Sequence, residues 1–125
     1  MNLGMPGGDK IAVWDALSLS SGKQETCATV MHPDGSYELA AVTPFAQGAR
    51  DFWKSPETGQ VYPTRWKITI PSLKTSLTVT TSPKEQETAG PNMNRYEGTA
   101  TFTGKYQGRH VTGVNLVETV GNWTP

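Results

Sequence analysis

Apolar and polar residues alternate at every second position through most of this chain. No stretch carries the apolar stripe of period 3.6 that marks an amphipathic helix. In residues 10–19, Ile11, Val13, Asp15, Leu17 and Leu19 fall on one face of a strand, with Ala12, Trp14 and Ala16 on the other. Ser20-Ser21-Gly22-Lys23 then turns the chain. Residues 25–32 read as a second strand, closed by Pro33-Asp34-Gly35-Ser36, whose Asp-Gly pair favours a tight hairpin into a third strand over residues 37–42.

The pattern loosens over residues 45–63, where a short pairing segment at 49–53 is interrupted by Ser55-Pro56 and Thr58-Gly59. Alternation returns with Trp66, Ile68 and Ile70 on one face and Arg65, Lys67 and Thr69 on the other, and it stops at Pro71-Ser72. Leu77, Val79 and Thr81 form the apolar side of the hairpin partner. Residues 84–94 are polar and hold Gly90-Pro91, which predicts a mobile loop. Two long strands follow, over 95–103 and 109–120, joined through a turn at 104–108. Seven or eight strands in succession, linked mainly by short turns, predict an all-β, antiparallel up-and-down meander that closes into a barrel and so removes its edges. Barrels of about eight strands have an interior just wide enough for side chains or one small ligand.

Composition narrows the function. The chain has 125 residues, enough for one core, and its 13 glycines and 9 prolines are scattered between apolar runs, as all-β turns require. Eleven basic residues balance eleven acidic ones, so no charge excess points to nucleic acid or an anionic membrane; a neutral, apolar small molecule is the expected ligand. Cys27 is the single cysteine and His32 and His110 are the two histidines, which leaves no disulfide and no expected metal or other cofactor. The first residues lack the basic and apolar regions of a signal peptide, and no run reaches the ~18 apolar residues of a membrane span, so the default compartment is cytoplasmic. Asn122-Trp123-Thr124 matches a glycosylation sequon, a short pattern that recurs by chance. The sequence has no G-x-S-x-G, no phosphate-cradling glycine loop and no HExxH, which removes the hydrolase, kinase and metalloprotease classes.

Residues 51–71, DFWKSPETGQVYPTRWKITIP, carry a rigid turn straight into an alternating strand. Together with WDAL at 14–17, SPKEQE at 82–87 and YEGTATFTGKYQGRHVTGVNLVETVGNW at 96–123, this segment resembles the lipocalin-like carotenoid 1,2-hydratase family. That family is also called hydroxyneurosporene synthase or AttH-like, and it includes fungal kievitone hydratases and natural-product cyclases. The resemblance runs over residues 5–123 and matches the second of the family's two barrel domains. It implies a lipocalin-like barrel over residues 9–123, a remnant of a first strand and turn at 1–8, and a tail at 124–125. The chain is thus expected to start inside a strand, as a fragment or with a companion barrel or second copy supplying the missing edge.

The resemblance further implies acid-assisted chemistry on a terpenoid or polyketide-derived substrate (hydration, alkene or epoxide cyclisation, or cycloaddition), the alternative being a non-catalytic apolar-ligand-binding or accessory barrel, or a truncated remnant of a two-domain enzyme. A proton donor kept protonated by burial is the group to find. Asp15 is the first candidate, since it shares the apolar face of Val13 and Leu17 and follows Trp14, whose ring can stabilise a cation. The alternative is that Asp15 bonds a neighbouring backbone amide. Glu97 and Glu118 are the next candidates. Glu118 is inward if Val114 and Leu116 are; the alternative for both glutamates is an ion pair with Arg65, Arg95 or Arg109. Glu97 gains weight from the YEG signature of the family. Trp14, Tyr62, Arg65, Trp66 and Tyr96 are the candidate substrate-binding residues, with a structural duty as the alternative for those in the YPTRW motif. His32 and His110 read as surface or hydrogen-bonded residues, and Cys27 as a packing residue.

Overall fold

The computed structural model describes residues 1–121 and 123, so the Asn122 sequon and the tail at 124–125 lie outside the described residues. The strands are β1 (Asn2–Gly4), β2 (Lys10–Leu17), β3 (Gln24–Met31), β4 (Tyr37–Ala40), β5 (Arg50–Lys54), β6 (Val61–Ile70), β7 (Thr75–Thr81), β8 (Glu87–Thr88), β9 (Arg95–Tyr106) and β10 (Arg109–Val120). A single 3-10 turn at Pro71–Leu73 links β6 to β7, at the proline that ends the alternation. All the strands form one antiparallel sheet in the order β4-β3-β2-β1-β10-β9-β7-β6-β5, with β8 added beside β9. The fold is the all-β lipocalin-like architecture that the alternation implied.

The curled sheet is not closed by a ladder, because β4 and β5 are the two ends of the order. Residues 41–49 bridge them. The Thr43 amide donates to the Thr69 carbonyl of β6 at 3.0 Å, the Thr26 hydroxyl donates to the Val42 carbonyl at 2.8 Å, and Val42, Phe45 and Ala49 join the buried core. The core itself comes from the inward rows of the strands: Ile11 and Val13, Ala28 and Val30, Trp66, Ile68 and Ile70, Leu77 and Val79, Ala100 and Phe102, and Val117.

Two turns follow directly from their residues. Gly35 takes φ of 87° in the β3–β4 turn, where its amide donates to the His32 carbonyl at 3.0 Å; that is the Asp-Gly hairpin the sequence predicts. The β9–β10 connection is tighter than expected: Tyr106 pairs with Arg109, and only Gln107 (φ 50°) and Gly108 (φ 77°) lie between them. Positive φ at both central residues matches the right-handed twist of the flanking strands. The strand expected to end at 103 therefore continues to Tyr106.

Three other expectations change. The polar loop after β7 contains β8, ordered through Glu87 as described below. On β10 the inward residues are Asn115, Val117 and Thr119, while Val114 is 74% and Leu116 58% exposed, so Glu118 faces outward. An apolar pair alone does not say which face of a strand is the core. On β2, Ile11 and Val13 are buried, but Leu17 is 49% and Leu19 93% exposed, since the chain has left the barrel by then. No helix among the described residues is long and apolar enough to cross a membrane.

Candidate functional site

The turn-bearing ends of the barrel each hold a cluster of polar side chains. At one end the β1–β2 turn, the β3–β4 turn and the end of β9 converge. The Tyr106 hydroxyl donates to Asp9 Oδ2 at 2.6 Å, and His32 Nδ1 meets Asp9 Oδ1 at 2.9 Å. Local geometry fixes each group: the Met5 amide closes the β1–β2 turn on the Asp9 carbonyl at 2.8 Å, and the His32 amide bonds the Ser36 carbonyl at 2.8 Å. Gly8 lies so close to Pro33 that an added Cβ would stand 2.9 Å from Pro33 Cγ, which brings the two turns together.

The electrostatics of this trio are mutual. Hydrogen bonds from Tyr106 first and His32 second hold the Asp9 carboxyl below its ordinary range. The bond to Asp9 in turn raises His32 above 6.5, and burial, then Asp9, pushes the Tyr106 phenol up. Asp9 and Tyr106 line a cleft of about 570 Å³ together with Met5, Arg109, His110 and Val111. The result is an ionised carboxylate, braced by a phenol and an imidazole, on the wall of an open cleft that also presents a second histidine. Within this set His32, raised by its bond to Asp9, is the group placed to exchange a proton near neutral pH.

At the opposite end Glu87 is the hub. Ser55 Oγ donates to its Oε1 at 2.5 Å, and Thr58 Oγ1 and the Tyr62 hydroxyl donate to its Oε2 at 2.7 Å each. Burial pushes the Glu87 carboxyl up, but the hydroxyl bonds together outweigh it and hold the group below its ordinary range. Tyr62 is raised by burial and by Glu87. Trp53, Tyr62 and Tyr96 pack beside this hub, with Tyr62 and Tyr96 ring centres 5.4 Å apart. The Tyr96 hydroxyl reaches the Lys84 carbonyl at 2.6 Å and so ties β9 to the loop that carries Glu87.

The sequence-predicted residues are distributed over these regions. Tyr62 and Tyr96 are brought together and fully buried, whereas Trp66 belongs to the core. Trp14 is 45% exposed, and Arg65 lies on the outer face 3.6 Å from Asp51. Glu97 and Glu118 are direct cross-strand partners and both exposed; Glu118 lies 4.0 Å from Arg95. Asp15 is half-buried, with Oδ2 accepting the Phe45 and Ala46 amides at 2.8 Å each and Oδ1 accepting Gln24 Nε2 at 2.9 Å. None of Asp15, Glu97 and Glu118 lines the cleft of Asp9 and Tyr106. Asp9, Tyr106 and Glu87 were not singled out, and His32, read as a surface or hydrogen-bonded residue, is bonded to Asp9. Asp9 precedes the first alternating run and His32 adjoins a turn, and the sequence offers no local signal that they meet.

The fold is that of a lipocalin-like β-barrel, with a cleft lined by Asp9 and Tyr106 at one mouth. The sequence matches the AttH-like family over residues 2–121, and the chain belongs to that family. It is 28% identical over 96 residues to dehydratase asqC of Emericella nidulans, covering 74% of this chain and 27% of that protein. The fold matches kievitone hydratase from Nectria haematococca with a TM-score of 0.83 and 23% identity, over 95% of this chain and 37% of that one. It also matches the AttH-assigned protein of Nitrosomonas europaea with a TM-score of 0.74 and 19% identity, over 98% of this chain and 38% of that one. The chain thus spans well under half the length of each of these relatives.

Proposed function

We propose that this chain is a barrel unit of a hydratase or dehydratase that adds water to, or removes it from, an apolar secondary metabolite of terpenoid or polyketide origin, in company with a second barrel. Membership of the AttH-like family and the likeness to a dehydratase and a kievitone hydratase support the reaction class. The fraction of the relatives' length that it spans supports the companion.

The observation that carries the reading is the Tyr106 and His32 bracing of Asp9 on the cleft wall. A carboxyl held below its ordinary range is ionised at neutral pH, so Asp9 is able to accept a proton. In the water-adding direction Asp9 takes a proton from the attacking water, while the substrate carbon receives one from His110, which also lines the cleft. In the water-removing direction the two exchange roles. Asp15, anchored to the amides of Phe45 and Ala46, holds the bridging segment in place.

The test is metabolite comparison between a deletion strain restored with the intact gene and with Asp9→Asn or Tyr106→Phe. The expected result is loss of the gene-dependent product in the Asp9→Asn strain, with the protein still accumulating. A product level equal to that of the intact gene would sink the assignment.

A further inference from the structure

The cleft that holds Asp9 carries a cation as well. Arg109 opens β10 on the same row as the inward Asn115 and Val117, and it is the cross-strand partner of Tyr106. Residues directly opposite each other on paired strands project to the same face of a sheet. The Arg109 side chain therefore leaves β10 on the face from which the Tyr106 hydroxyl reaches Asp9, and both residues line the cleft. The acidic groups of this end are engaged with other partners: Asp9 with Tyr106 and His32, Asp34 with Ser36, and Glu38 at 3.8 Å from His32. No ion pair among the described residues involves Arg109, which leaves its N–H donors for a ligand or water.

These charges decide which kind of intermediate the cleft can stabilise. Adding water to an isolated alkene by acid passes through a carbocation, which needs a proton donor to form it and aromatic faces to steady it. Asp9 is ionised and so is not that donor, and a guanidinium on the wall repels positive charge. The cluster of Trp53, Tyr62 and Tyr96 packs beside Glu87, at the opposite end of the barrel. Adding water to a double bond conjugated with a carbonyl instead drives negative charge onto the carbonyl oxygen. A cationic fork of N–H donors stabilises that oxygen.

We propose, resting on the role given to Asp9 above, that the substrate of this cleft is an α,β-unsaturated carbonyl compound or the β-hydroxy carbonyl compound made from it, and that Arg109 binds the carbonyl oxygen. In the water-adding direction the water oxygen bonds to the β-carbon while Asp9 takes one of its protons. The π electrons of the double bond move toward the carbonyl, giving an enolate whose oxygen is held by Arg109. The α-carbon then takes a proton from the imidazolium of His110, and exchange with solvent in the open cleft resets both groups. In the water-removing direction neutral His110 takes the α-proton, the same enolate forms, and the β-hydroxyl leaves as water with a proton from Asp9.

The test titrates probes of similar size calorimetrically into the purified chain at neutral pH: dimedone, which is present as an enolate; isophorone, a neutral enone; and N,N-dimethylcyclohexylammonium, a stand-in for a carbocation. Dimedone is expected to bind most tightly and the ammonium least, and added salt should weaken dimedone. Arg109→Gln, at an exposed position, should leave the thermal midpoint unchanged. It should weaken dimedone roughly tenfold or more, the worth of a charge-assisted hydrogen bond, and isophorone by less. Arg109→Lys keeps the charge without the fork and should fall between. A merely structural role would not act on the enolate more than on the enone. In the restored deletion strain Arg109→Gln should lose the gene-dependent product. No dimedone binding by the parent, tighter binding of the ammonium, equal dimedone affinity in parent and Arg109→Gln, or an unchanged product in the Arg109→Gln strain would each overturn this inference and leave the role of Asp9 standing. An unchanged product in the Asp9→Asn strain would bring down both.

Discussion

The Tyr106 hydroxyl and the Asp9 carboxylate, 97 residues apart in sequence, meet at 2.6 Å on the wall of a cleft of about 570 Å³. The contact joins the end of β9 to the turn that starts β2, and His32 completes it from a third element. Tyr106→Phe removes the donor and leaves the carboxylate on the cleft wall. The expected result is an Asp9 carboxyl closer to its ordinary range, read from NMR titration of the side-chain carboxyl, with a loss of about 0.5–1.5 kcal/mol in chemical denaturation.

The pH dependence follows from the directions of the shifts. His32 is raised above 6.5 by Asp9, so its contribution to stability is present below that value and is lost as pH climbs through the folded-state value. Asp9 is lowered below 3.8, so its contribution is present above that value and is lost as pH falls through the lower folded-state value. Thermal midpoints should therefore decline from pH 6.5 upward, and His32→Gln should flatten that decline. An equal decline in parent and variant would assign it to other groups.

Asp15 makes a sharper case. Asp15→Ala deprives the Phe45 and Ala46 amides of their acceptor, at an expected loss of about 2–3 kcal/mol by urea titration, the range for hydrogen bonds to a charged group. Asp15→Asn keeps an acceptor oxygen and should fall between that variant and the parent. Turnover per folded molecule should survive in Asp15→Asn; its disappearance at an unchanged midpoint would restore Asp15 as the proton donor.

Glu87 holds three hydroxyls from Ser55, Thr58 and Tyr62, and Glu87→Ala orphans all of them. Stability should drop by about 2–4 kcal/mol. Amide exchange should quicken at residues 55–60 and 82–88 before it does so in β9 or β10. Uniform quickening over the whole sheet would deny Glu87 its role as a local fastener.

The YPTRW motif sets Trp66 and Arg65 on opposite faces of β6, as the alternation predicts. Trp66 is in the core and Arg65 outside, so Trp66→Ala should cost about 3–5 kcal/mol. Arg65→Ala, whose partner Asp51 is exposed at 3.6 Å, should change stability by under about 1 kcal/mol. Denaturation curves for the two variants check both statements.

Most of the strands were readable because a period of two is a local property. β10 runs over the residues expected, and β6 stops at the proline that the alternation marks. What failed needed partners distant in sequence. The orientation of Glu118 depends on which face of β10 meets the core, and the exposed Val114 and Leu116 imitate an inward row. β8 is two residues long, too short for a periodicity, and it is ordered through side chains of the β5–β6 turn. Asp9 and His32 sit at turns, where a polar residue is the ordinary expectation. Their pairing is visible only once the two hairpins lie side by side. Tyr62 and Tyr96 stand near the starts of β6 and β9, and only the fold brings their ring centres to 5.4 Å.

The ordered bridge over residues 41–49 gives this barrel a seam. Everywhere else the wall is laced by ladders that yield only when many amide bonds break together. Along the seam the hold is the Thr43 amide, the Thr26 hydroxyl and the oxygens of Asp15. With no ladder to hold them, the amides of residues 41–49 are expected to exchange with solvent before those of the strands on either side.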